Sequence, residues 1–190
     1  MQTGSNKKQI DPNLKPEELA RQAYARAIRL LGAREHTTTE LRKKLGDSGF
    51  DTDVIEATLE QLISSGYQSD ERFATLYAEQ LLRKHHGPMA ISAKLSARGI
   101  DSSMSREAIG ALGADWCEVA ADALRSRFSM TQLSESGPAD NDVQTDGGVA
   151  HDAELAQKQM GKYARFLNRR GFSTTDSIKA IRLAAETVSE

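Results

Sequence analysis

Three stretches of the chain share one pattern: Leu45-Gly46-Asp47-Ser48-Gly49-Phe50, Leu95-Ser96-Ala97-Arg98-Gly99-Ile100 and Leu167-Asn168-Arg169-Arg170-Gly171-Phe172. Each reads Leu-x-x-x-Gly-(Phe or Ile), behind helix-forming sequence and ahead of another amphipathic run. Glycine just past a helix end supplies the left-handed conformation that closes the helix. The apolar residue after it packs back on the last turn, and the polar residue that follows (Asp51, Asp101 or Ser173) can cap the next helix. The pattern is therefore a helix–glycine–helix corner used three times. An aliphatic residue recurs nine positions beyond each corner, at Leu59, Ile109 and Ile181.

Other punctuation agrees with this reading. Thr37-x-x-Glu40 has the spacing of a capping box ahead of Leu41 and Leu45. Asp70 precedes Phe73, Leu76, Tyr77 and Leu81, a series spaced for one helix face. Gly87-Pro88 should end that helix and open the next, with Pro88 in its first turn. Leu19, Ala23, Ala27 and Leu31 form a stripe along the first helix. Apolar residues are 38% of the chain and aromatics 5%, a mix that suits helix packing better than sheets. The predicted architecture is all-α, three tandem three-helix units. They span residues 16–66, 67–113 and 114–188, behind a disordered tail at 1–15.

The third unit is interrupted. Residues 129–156 hold Gly137-Pro138, Gly147-Gly148, six acidic residues and no Lys or Arg. Such a segment buries too little apolar surface to offset its ordering entropy, so a flexible acidic loop is expected.

Net charge is −2, from 25 basic and 27 acidic residues. Without the acidic loop the balance turns positive, and Lys158 to Arg182 carries seven cations against Asp176 alone. Lys158, Lys162, Arg165 and Arg169 follow helical spacing and should project from one side, with Arg170 just beyond. Met160, Tyr163 and Leu167 fall on the other side, with Phe166 at the border. A helix face of aligned cations is a candidate surface for an anionic groove or a nucleic-acid backbone. Arg42-Lys43-Lys44 fans around a helix turn and reads as a solvated face.

No catalytic constellation stands out. The histidines are His36, His85, His86 and His151, and none has the partners that a zinc site requires. Cys117 lies at helical spacing to Ala120, Ala121 and Leu124, as a packed thiol would. No phosphate-binding glycine loop occurs in a strand–helix context. A single cysteine excludes an internal disulfide and fits a reducing compartment. The polar start, Met1 to Pro16, lacks a signal-peptide core, and no apolar run nears the length of a membrane span. The expectation is a cytoplasmic, monomeric, non-enzymatic protein without cofactor or metal.

Read in order, several stretches resemble the RecX family of regulators of the RecA recombinase. They are Leu30 to Leu41, Gly66 to Phe73, Gly87-Pro88 through Leu95 to Ile100, Asp115-Trp116-Cys117, and Phe166 to Phe172. The resemblance covers about Ala23 to Ala184. It implies a curved, elongated array of three-helix units that lies along RecA filaments on single-stranded DNA. It also implies inhibition of RecA ATPase, strand exchange and coprotease activities, with no catalytic residue to carry over. Met89 and Ala90 depart from it, standing where the family often has basic residues. The acidic loop is longer than the family leads one to expect. The alternative expectation is a direct DNA-binding helical module, with helix–turn–helix corners and a basic second helix.

Overall fold

The computed structural model describes residues 15–128 and 149–186, with backbone alone at 149–156 and 186. Among the described residues there are nine helices and no strand. They are α1 (Pro16–Leu31), α2 (Thr38–Gly46), α3 (Thr52–Ser64), α4 (Asp70–Leu82), α5 (Pro88–Ser96), α6 (Ser102–Ala111), α7 (Trp116–Arg127), α8 (Val149–Arg169) and α9 (Thr174–Glu186). The chain forms two compact units, Met1–Leu76 with Leu95–Ser105, and Tyr77–Lys94 with Arg106–Glu190. The divisions fall inside α4, α5 and α6, so compactness partitions the chain differently from the repeat.

The three corners have one geometry. Gly49, Gly99 and Gly171 sit at φ 92°, 85° and 85°. The amide of the apolar residue after each glycine donates to the Leu carbonyl five residues back: Phe50 to Leu45 (3.3 Å), Ile100 to Leu95 (3.2 Å) and Phe172 to Leu167 (3.2 Å). Both features belong to a helix closed through a left-handed residue, which satisfies carbonyls that the helix end leaves open. Phe50, Ile100 and Phe172 are buried, as are the three leucines that they close upon.

In the first unit, α1, α2 and α3 enclose Ala23, Ala27, Leu41, Leu45, Phe50, Ile55, Leu59 and Leu62. The alanines let α1 approach closely, while Leu19 and Leu31 at the ends of its stripe are only half-buried. In the second unit, α7, α8 and α9 enclose Leu124, Tyr163, Leu167, Phe172 and Ile181 with five alanines. Tyr163 is 1% exposed and the largest fully buried side chain among the described residues. Burial of a side chain of this size stabilises by roughly 1.5–3 kcal/mol.

Local signals were met unevenly. Asp101 accepts from the Ser103 and Met104 amides, and Ser173 from the Asp176 amide, so two corners are capped as expected. Asp51 stands at the cap position of α3 without a side-chain capping bond. Thr37 caps α2 by accepting from the Glu40 amide at 3.1 Å. Asp70 accepts at 2.8 Å from the Thr38 amide, 32 positions back at the start of α2. Its own helix is capped by Ser69, which accepts from the Arg72 amide. Leu76 is 46% exposed, and Ala74 and Ala78 take the buried positions beside Phe73 and Leu81. Four apolar residues spaced for one face exceed the width of contact α4 makes, so the outermost is left in solvent.

The flexible loop expected at 129–156 does not extend over 149–156, where α8 begins. Ala150, Ala153, Glu154, Leu155 and Ala156 are strong helix formers that a composition argument overlooked. The rest of the expected loop, 129–148, and the tail expected at 1–15, Lys15 apart, lie outside the described residues.

Candidate cationic docking face

The second and third corners each rest on the start of another helix. In the first unit, the Thr37 hydroxyl donates to the Arg98 carbonyl at 2.8 Å. Arg98 Nη1 reaches Glu40 Oε1 at 2.7 Å, and a side-chain carbon on Gly99 would come within 2.7 Å of Thr39 Cβ. In the second unit, the Gly87 amide donates to the Arg170 carbonyl at 2.8 Å and the Met89 amide to the Gly171 carbonyl at 3.1 Å. A side-chain carbon on Gly171 would come within 2.5 Å of Ala90 Cβ. Both glycines are therefore required twice, for positive φ and for contact. This second contact places the end of α8, and the cations just before it.

Lys158, Lys162, Arg165 and Arg169 are all exposed on α8, while Tyr163 and Leu167 are buried beneath them. Met160, expected on the core side, is 39% exposed. Its position lies at the edge of the apolar stripe, where Tyr163 already fills the core. No described carboxylate pairs with Lys162, Arg165 or Arg169. Lys162 Nζ lies 4.9 Å from the centroid of Phe128, and Arg127 Cζ lies 5.6 Å from the same ring. Phe128 meets Tyr163 and Phe166 edge-on, at centroid distances of 4.8 and 5.4 Å. Cations held over an aromatic face gain about 0.5–1 kcal/mol at exposed sites.

Arg170 does not belong to this face. Its guanidinium donates to the Lys84 carbonyl at 2.5 Å and the His85 carbonyl at 3.4 Å, and Cζ lies 5.3 Å from the Phe166 centroid. It thereby ties the turn that follows α4 to the third corner. Arg170 follows the end of α8 at Arg169, so its nearness in sequence to the cationic row does not put it on that face. Arg127 was missed in turn. Its signal was the Arg127-Phe128 pair at the end of α7, which gains meaning only once Phe128 packs on α8. Of the Arg42-Lys43-Lys44 patch, Arg42 forms a two-pronged pair with Glu56 of α3.

His36 and Glu40 form a buried polar group in the first unit. His36 is 3% exposed, and its Nδ1 lies 2.8 Å from Glu40 Oε2. Burial pushes the His36 pKa down against the pull of Glu40. Burial would raise the Glu40 carboxyl, but hydrogen bonds from Arg34 and His36 and the charges of Arg34 and Arg98 hold it below the usual carboxylate range. The Cys117 thiol is pushed up by burial and by Asp176 and Asp115. No group of three or more metal-ligating side chains occurs among the described residues. No described helix is long and apolar enough to cross a membrane.

Three-helix elements in tandem, each turned at a glycine corner between its second and third helices, define an all-helical repeat protein. Residues 23–62 match the family model for RecX, first three-helix domain, and residues 69–109 that for RecX, second three-helix domain. The Regulatory protein RecX of Xanthomonas axonopodis pv. citri is 36% identical over 155 residues, 82% of each chain. That of Xanthomonas campestris pv. campestris strain B100 is 35% identical over 147 residues, 77% of this chain and 78% of the other. The chain belongs to the RecX family of regulatory proteins. The crystal structure of RecX from Lactobacillus salivarius superposes with a TM-score of 0.69, covering 88% of this chain and 97% of that one at 20% identity. At that identity the likeness speaks for the fold.

Proposed function

We propose that this chain is a cytoplasmic, non-catalytic regulator that binds RecA filaments on single-stranded DNA and inhibits their ATPase, recombinase and coprotease activities. Membership of the RecX family supports a regulatory role. The observation that carries the choice of surface is the outward row Lys158, Lys162, Arg165 and Arg169 on one face of α8. A rigid row of cations suits an anionic groove, because repeated weak contacts on one scaffold add through effective concentration. Binding that favours one filament state over another restrains turnover, since only differential affinity shifts such an equilibrium.

The test is the steady-state ATPase of RecA on single-stranded DNA, titrated with the intact protein. Inhibition at substoichiometric ratios supports the reading, and the combined Lys162→Glu, Arg165→Glu, Arg169→Glu variant should then inhibit far less. Full inhibition by a folded variant would remove the cationic face from the proposal. No inhibition by the native chain would overturn filament regulation. A steep salt dependence of DNA binding without RecA would then favour the direct DNA-binding module.

A further inference from the structure

The contact between the third corner and the start of α5 contains an ionisable group that nothing in the proposed function uses. His86 stands between the end of α4 and Gly87, whose amide is bonded to the Arg170 carbonyl. Its Nδ1 is buried and meets no hydrogen-bond partner. Lys84 and His85 flank it on its own segment, Lys94 bears on it from α5, and Arg170 from the corner. Every charge that bears on the ring is positive, and Arg170 is tied to the Lys84 carbonyl beside it.

We propose that His86 is a pH-sensitive latch: neutral, it lets the Arg170-Gly171-Phe172 corner seat on Gly87–Ala90; protonated, it loosens that seat. A proton on this imidazole places a further cation among Lys84, Lys94 and Arg170, in a position where Nδ1 has no acceptor. The favourable response is local opening, which hydrates the ring and separates the like charges. The bonds lost are those the two backbones share, Gly87 to Arg170 and Met89 to Gly171. Burial and these cations together push the His86 pKa below its ordinary 6.5, the direction the latch requires. The seat is thus complete above pH 6.5 and weakens as pH falls from there toward the lowered value.

Amide hydrogen exchange of the full chain, followed by NMR, reads the latch directly. Between pH 7.5 and 5.5 the protection factors of Gly87 and Met89, corrected for intrinsic exchange, should fall, with about tenfold as the upper limit set by an ordinary histidine in the open state. Phe128, whose amide donates to the Leu124 carbonyl at the end of α7 in the same unit, should hold its protection. His86→Gln should abolish the fall, and His85→Gly should retain it. Protection independent of pH in the native chain would overturn the proposal, as would a fall that persists in His86→Gln. If His86→Gln does not fold, titration of the native His86 ring decides. A midpoint below 6.5, shared by the Gly87 and Gly171 amide shifts, upholds the latch; a midpoint at or above 6.5 removes it.

Discussion

Arg98 Nη1 lies 2.7 Å from Glu40 Oε1 across 58 positions of sequence, joining the second corner to the first turn of α2. Glu40 also accepts from Arg34 at 3.0 Å and meets the buried His36 ring at 2.8 Å. One carboxylate thus serves three partners. Glu40→Ala should lower stability by about 2–3 kcal/mol, because it strands a buried imidazole and removes a shared acceptor. Urea unfolding checks the value, and a loss under about 0.5 kcal/mol would mean that the three contacts are not maintained together.

The same group gives a pH dependence with a definite sign. The Glu40 carboxyl is depressed in the folded protein, so its stabilisation is present above its ordinary pKa of 4.5. It is lost as pH falls through the lowered folded value. The depressed His36 pKa adds a loss that begins as pH drops below 6.5. Glu40→Gln should flatten the acid limb below pH 4.5 while leaving the fall that begins near 6.5, as read by thermal melts across pH.

Glycines at positive φ should differ according to what surrounds them. Gly66, at φ 72°, has open space where a side chain would go, whereas Gly171, at φ 85°, faces Ala90. Gly66→Ala should cost about 1–2 kcal/mol, the left-handed penalty alone. Gly171→Ala should cost about 3 kcal/mol or more, since two backbones must also separate. Equal costs in parallel denaturation curves would contradict the close approach.

His85 occupies φ 53° without being glycine. His85→Gly should raise stability by about 0.5 kcal/mol, the relieved strain outweighing the entropy that glycine adds to the unfolded chain. A loss of more than about 0.5 kcal/mol by urea unfolding would show that the imidazole contributes more than its backbone strain costs.

Cys117 should react slowly with a soluble disulfide reagent at pH 8 in the native state and at the rate of an ordinary thiol in denaturant. Burial, Asp176 and Asp115 all disfavour its thiolate. Rapid native labelling would contradict that environment.

The all-helical class, the three glycine corners and the inward Leu45, Leu95 and Leu167 are legible in the residues alone. Each follows from i-to-i+5 geometry, which lies wholly within a short window. The sequence also placed Lys158, Lys162, Arg165 and Arg169 on one outward side, because helical spacing is local. Tertiary structure alone decided what depends on distant partners. Arg170 turned to the carbonyls of Lys84 and His85, Asp70 capped the helix of Thr38 rather than its own, and Glu40 took Arg98 in place of closing a capping box. A polar side chain near a corner has several partners of similar worth to choose from, and the choice falls to whichever one tertiary packing brings within reach.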